Sequence, residues 1–228
     1  MRHFLAPPGA ICEANLLGFF NAHPFLADHF KIHTLYKLCR NRPLVRFVCS
    51  VNLLLDLVTR AHVPLDRIIL VRPEDTPRKI RDWIYGHDLE ISSFHLLHDV
   101  PNVGWIVKVT GGESDGTAMY ATDTHHIPIA APDLDLYMIE GNYTQEDMDR
   151  RISEKTESGV FMYEGRVVQA HMSRETAVEW LRENADPYKS RIVFLHGHTE
   201  KKEAAESGEP EAVHDVREHL QVSPEDPQ

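Results

Sequence analysis

Apolar positions along this chain switch between a spacing of three to four residues and a spacing of two. In residues 30–40, Ile32, Leu35, Tyr36 and Leu38 fall at helical spacing and predict a helix. Arg42-Pro43 ends it, because proline cannot continue the hydrogen-bond ladder and restricts the residue before it. VRFVC (45–49) predicts a short buried strand. Ser50 then predicts a cap for the helix SVNLLLDLVTRAH, apolar at 53, 54, 57 and 58. RIILV, ending at Val71, predicts another strand. Residues 72–90 hold Pro73, Pro77 and many charges, which predicts a loop with one amphipathic turn around Ile80 to Trp83.

From Ile91 the pattern becomes strand-like. SSFHLLH is a strand, residues 100–104 turn, and WIVKV is a strand. Gly111 to Gly116 predicts a hairpin loop returning through TAMYATD, and 125–132 a loop. LDLYMIE (134–140) predicts a buried strand. Thr144 to Lys155 has a Thr cap and an acidic first turn, so a helix starts there. SRET at 173–176 reads as a capping box for a helix to Asn184, with Ala177, Trp180 and Leu181 on one face. RIVFLH (191–196) is a strand. Alternating helices and strands with hairpins between them predict a layered α/β (α+β) domain. Its expected extent is 1–200, followed by an acidic, flexible tail at 201–228 with a loose helix near 213–220.

Composition narrows the function classes. The 42% hydrophobic content is that of a soluble globular protein, and the formal net charge is −11. Such acidity repels phosphate backbones and argues against broad nucleic-acid coating. A small phosphate substrate held by a metal remains compatible, since the ion dominates the local field. Cys12, Cys39 and Cys49 are too few and too odd in number for a disulfide framework, so a reducing compartment is expected. No secretory signal is legible at the start, and no stretch reaches the ~20 apolar residues of a membrane helix. A cytoplasmic protein is the expectation.

Fifteen histidines change the picture, because imidazole is the commonest metal ligand at neutral pH. His3, His62, His87, His214 and His219 read as surface scatter. His125 and His126 read as loop residues, and His198 as a spare. Trp83, Trp105 and Trp180 read as packing. Other groups sit where elements meet loops: Asp28-His29 before the first helix, His98-Asp99, Asp123, His171, and His196. Carboxylates with imidazoles are the ligand set of zinc, and in open sites of manganese or iron. The bland alternatives are a helix cap at Asp28-His29 and structural turns at His98-Asp99 and Asp123-Thr124.

These segments carry a resemblance. ADHFK (27–31), HDVPNVGW (98–105), YATDT (120–124), LDLYMIEGNY (134–143), HMSRETAVEWL (171–181) and RIVFLHGH (191–198) resemble, in order, the metallo-β-lactamase superfamily, within it a small bacterial and phage hydrolase branch. The resemblance implies an αββα sandwich with two metals between its sheets. The family's His-x-His-x-Asp-His motif ends here in Asp28 and His29, while its first two slots hold Pro24 and Leu26, with His23 one residue away. The first sheet is expected to be shortened at the N-terminus. Carried over by position, the resemblance implies one metal site of Asp28, His29, Asp123 and His196. It implies a second, incomplete site of His98 and the shared Asp123. His171 would contact the phosphate or leaving group, and Asn142 and Tyr143 would line the cleft.

The function so implied is a metal-dependent hydrolase, a phosphodiesterase acting on a nucleotide or other small phosphodiester through metal-bound water. One or two zinc ions are the expected cofactor, with manganese the alternative. Asp28, once released from metal, would be the general base and His171 the acid. A homodimer is the expected assembly by class. Two other readings stand beside it. One is a degenerate family member serving as a binding scaffold, favoured by Pro24 and Leu26. The other is a gene fragment or frameshift, which would account for the first 27 residues.

Overall fold

The computed structural model describes residues 17–20, 32–81, 87–111, 115–158, 164–196 and 214–215. The chain is mixed α/β, with sheets and, among the described residues, five helices. It divides into two compact units. The first is Met1–Phe94 with Val107–Asp115, and the second His95–Ile106 with Gly116–Gln228.

In the first unit, β1 (Leu17–Phe20), β2 (Arg46–Cys49) and β3 (Ile68–Leu70) form a parallel sheet in that order. Parallel pairing needs crossover connections, and α1 (Ile32–Asn41) and α2 (Val51–Thr59) supply them. Leu35, Leu53 and Leu57 from these helices pack with Val45, Phe47, Cys49, Ala61 and Val63 into one buried cluster. Burial pushes the Cys49 thiol up to about 12, so it is an inert apolar filler. Ser50 occupies the N-cap of α2 in extended backbone, but its side chain makes no cap hydrogen bond. The expected cap is therefore positional only.

The segment expected as a loop over 72–90 contains strand instead. β4 (Arg78–Arg81) pairs antiparallel with the start of β5 (Asp88–Leu96), so β5 also begins four residues before SSFHLLH. Charged alternation on exposed strand ends hides a strand from a hydrophobicity reading. Lys79 pairs with Glu90 across this ladder at 3.7 Å.

In the second unit the strand order is β10-β9-β8-β7-β6. The strands are β6 (Asn102–Thr110, of which Asn102–Ile106 lies in this unit), β7 (Gly116–Ala121), β8 (Leu136–Glu140), β9 (Arg191–Leu195) and β10 (His214–Asp215). β7, β8 and β9 run parallel, and Ile139 of β8 stands in register with Ala121 and Phe194. Trp105, Met119, Tyr137, Ile139 and Ile192 are fully buried along them. The helix expected near 213–220 gives way at its described residues, where His214 and Asp215 pair antiparallel with β9.

Three helices follow β8: α3 (Gln145–Ser158), α4 (Glu164–Ala170) and α5 (Arg174–Asn184). The SRET box is half made. Ser173 Oγ accepts from the Thr176 amide at 3.1 Å, whereas Glu175 accepts from the Gln145 amide. Tyr137 locks the far end of this unit. Its hydroxyl donates toward the carbonyls of Ala131 and Asn184 at 2.7 and 2.8 Å and lies 3.1 Å from the Leu134 amide.

Candidate metal centre

Parallel strands end on the same edge of a sheet, and loops leaving that edge are where α/β domains gather their chemistry. β7, β8 and β9 are adjacent and in register, so their carboxyl ends project together. Asp123 lies two residues past β7, Glu140 is the last residue of β8, and His196 follows β9 directly. His171 arrives from a helix. Its amide bonds to the Val167 carbonyl at 2.9 Å, closing the last turn of α4. The next residues are tied to the chain after Glu140, through Asn142 N to Met172 O (3.0 Å), Arg174 N to Tyr143 O (2.8 Å) and a parallel bridge of Tyr143 with Ser173.

These four side chains offer two carboxylates and two imidazoles whose ligand atoms all lie within 4.8 Å of one another. Asp123 and Glu140 are buried, and the two histidines are partly exposed. That donor set fits a borderline divalent ion such as zinc. Glu140 Oε1 lies 2.6 Å from His171 Nδ1 and 3.5 Å from His196 Nδ1. His196 Nδ1 also reaches Asp123 Oδ1 at 3.2 Å. The other Glu140 oxygen accepts from the Thr124 amide at 2.6 Å, and Asn142 Nδ2 donates to Oε1 at 3.3 Å. Both oxygens of Glu140 are thus engaged by the protein, which suits it to orienting His171 more than to holding an ion.

Burial alone would raise the Glu140 carboxyl. The hydrogen bonds from His171 and His196, the His171 charge and the Thr124 amide outweigh it and hold the group at about 2. An ionised Glu140 accepts from His171 Nδ1, which assigns the ring proton to Nδ1 and leaves Nε2 as the nitrogen that takes or gives a proton. Tyr120 moves the other way. Burial, with the charges of Asp123 and Glu140, pushes its phenol up to about 12.

The backbone is bent to make this arrangement. Asp123 and His196 both adopt left-handed conformations, with φ of 53° and 59°. Non-glycine residues visit that region at a cost of about 1–3 kcal/mol each when the surroundings enforce it. Asn102 is one enforcer. Its buried amide donates to the carbonyls of Thr122 and Asp123 at 2.7 and 2.8 Å, while its oxygen accepts from the Val103 amide. Thr124 is another, donating from Oγ1 to the His126 carbonyl at 2.7 Å and accepting there from the Leu97 amide at 3.2 Å.

Of the residues marked from sequence, Asp123, His171 and His196 converge. His98 stands beside them, its side chain buried and its ring meeting that of His171 edge-on at 5.2 Å between centroids. Asp28 and His29 lie outside the described residues, as do His23, Pro24, Leu26 and His198. His125 and His126 do not belong to the cluster. Sequence reasoning missed Glu140. The signal was a carboxylate closing a strand expected to be buried, since Glu is almost never fully buried unless paired.

Fold and site together define a mixed α/β protein with a candidate metal centre at the ends of parallel strands. No family model and no curated protein sequence matches the chain. The structure is similar to the metallo-β-lactamase-fold protein YhfI from Bacillus subtilis, at 14% identity and a TM-score of 0.49, over 90% of this chain and 70% of that one. It is also similar to the short form of human tRNase Z, at 14% identity and a TM-score of 0.47, over 79% and 72%. A third similarity is to MEM-A1, a subclass B3 metallo-β-lactamase from a soil metagenome library, at 14% identity and a TM-score of 0.30, over 65% and 68%. No helix among the described residues is long and apolar enough to cross a membrane.

Proposed function

We propose that this protein is a metal-dependent hydrolase of the metallo-β-lactamase kind, acting on a nucleotide or other small phosphodiester. The observation that carries the reading is the convergence of Asp123, Glu140, His171 and His196 within 4.8 Å. Asp123 and His196 would hold the ion, zinc by its donor chemistry, with Asp28 and His29 the further ligands that the sequence resemblance implies. A bound divalent ion supplies Lewis-acid polarisation of a phosphoryl oxygen and a water of lowered pKa.

The chain's own contribution is position and protons. Glu140 fixes the His171 ring through Nδ1, and His171 Nε2 delivers a proton to the leaving oxygen. The buried carboxylates keep the site anionic, so a phosphodiester enters only when a cation offsets that charge. Tyr120, kept as the phenol, adds no further charge. The preference for a phosphodiester over other esters rests on the sequence resemblance around His171.

The test is elemental analysis of protein purified without added metal, beside an Asp123→Ala variant, followed by hydrolysis of bis(p-nitrophenyl) phosphate. At least one zinc or manganese per chain, lost in the variant, with turnover in the wild type, supports the proposal. A folded protein that holds no metal overturns it. It would then favour the binding-scaffold alternative to which Pro24 and Leu26 point.

A further inference from the structure

Several basic side chains of the second unit end on carboxylates. Arg150 pairs with Asp147, Lys155 with Glu164, Arg166 with Asp99 and Lys189 with Asp135. Arg174 is partly buried, yet among the described residues no carboxylate pairs with it. Its chain neighbour Glu175 turns elsewhere, accepting from the Gln145 amide with both oxygens at 3.2 Å. The Arg174 guanidinium lies instead over the ring of Phe194, 4.5 Å from the centroid. Cation–π attraction holds it there without using any of its N–H donors. Three links of chain set it beside the metal centre. Arg174 opens α5 three residues after His171, and its amide donates to the Tyr143 carbonyl at 2.8 Å. Phe194 stands on β9, two residues before His196. The same ring packs against Gly141, the residue after Glu140, so closely that a Cβ there would meet it at 2.7 Å.

We propose that Arg174 binds a second phosphate of the substrate, beside the one at the metal centre. The proposal rests on the hydrolase reading and narrows its substrate to nucleotides that carry a phosphate besides the reacting diester. Withdrawing a cation from water costs free energy unless a counter-ion replaces the lost hydration. Among the described residues none does so for Arg174, so an anion from outside meets little competition there. Phosphate suits the guanidinium, whose planar fork matches two of its oxygens. The stack on Phe194 holds that fork before substrate arrives, which lowers the ordering cost of binding. In a chain of net charge −11, such a cation also offsets the repulsion that a second phosphate would meet.

The experiment compares two esters on the zinc-loaded protein: thymidine 5′-(p-nitrophenyl phosphate), and the same ester with a 3′-phosphate. The wild type should prefer the second by about 10–100-fold in kcat/KM, mainly through KM, as a charge-assisted hydrogen bond implies. Arg174→Met keeps an unbranched stem over Phe194 and should lose most of that preference. Arg174→Lys, which keeps the charge but not the fork, should fall between them, and it carries the comparison alone if Arg174→Met does not fold. A wild type without the preference overturns the proposal, as does a preference that survives both substitutions. A purely structural arginine would slow both esters alike and leave their ratio unchanged. A second arm needs neither metal nor turnover. Inorganic phosphate is titrated into the metal-free wild type, and the arginine ¹⁵Nε–¹H resonance that is missing from the variants is followed. A saturable shift supports the proposal, and a resonance that does not move overturns it. A zinc form that cleaves neither ester, beside a shift that does appear, would sink the hydrolase reading and leave the phosphate site standing.

Discussion

At the scale of single residues, the site depends on a few side chains whose work is to hold others. His171→Ala should leave a folded protein that still takes up metal and lose about 10²–10⁴-fold in kcat, the usual share of a general acid. Phosphodiester turnover beside metal content checks this, and a variant with wild-type kcat would remove His171 from the reaction. Asn102→Ala should cost about 1–3 kcal/mol in urea unfolding, because two buried carbonyls lose their donor. It should also weaken metal binding by releasing Asp123 from its left-handed backbone. The residue scale is where the sequence was most informative. Asp123, His171 and His196 were marked because each stands where an element meets a loop, and a strand end is legible from the hydrophobic pattern. Glu140 stands at such an end too, but the sequence reading takes it only as part of the buried strand LDLYMIE and gives it no chemistry. Asn102 and Thr124 act through backbone groups, and nothing in a side-chain inventory shows which carbonyl an amide will find.

At the scale of elements, glycine and tyrosine decide how closely β8 and its neighbours pack. A Cβ on Gly141 would lie 2.7 Å from Cδ1 of Phe194 and 3.4 Å from its Cβ, so the ring has little room to give. Phe194 in turn carries the Arg174 guanidinium over its face at 4.5 Å. Gly141→Ala should therefore destabilise by about 1–3 kcal/mol through overpacking, measured by chemical denaturation. Tyr137→Phe should cost a similar ~1–3 kcal/mol, since the Ala131 carbonyl loses the hydroxyl as donor and the Leu134 amide loses it as acceptor, while the Asn184 carbonyl keeps the Asp133 amide. The strands that hold this packing were legible because they are apolar runs bounded by turns. β4 was not, because its residues, RKIR, are nearly all charged and follow two prolines. α4, only seven residues long, is too short for a hydrophobic period to declare itself.

At the scale of the molecule, acid should remove a stabilising contribution from the second unit. Glu140 is held at about 2 against an ordinary 4.5. Asp135 is also lowered: burial would raise it, but hydrogen bonds from Thr117 and the Lys189 pair prevail. A depressed carboxyl stabilises the fold fully above its ordinary range and loses that contribution as pH falls toward the folded value. Stability should thus decline between about pH 4.5 and pH 2, and Glu140→Gln should flatten that limb of the thermal-melt profile. A profile equally steep in the variant would show that other carboxylates govern it. Layered α/β architecture follows from the alternation of helical and strand patterns, whereas the division into two units falls inside the β5 and β6 segments. A pattern read along the chain does not reveal a boundary that cuts across its own strands.

The register of β7, β8 and β9 has a consequence for how the protein reaches its folded state. Asp123, Glu140, His171 and His196 span more than seventy positions of chain and meet only once three strand ends are aligned. Contacts of such sequence separation form late. A cation meets this full set of ligands only once the strand ends are aligned, so its stabilisation is expected to arrive after the rate-limiting step. Zinc added before refolding should leave the folding rate unchanged and slow unfolding alone, as an interaction absent from the transition state does. Stopped-flow refolding and unfolding, with and without the ion, would show one limb of the chevron moving while the other stays in place.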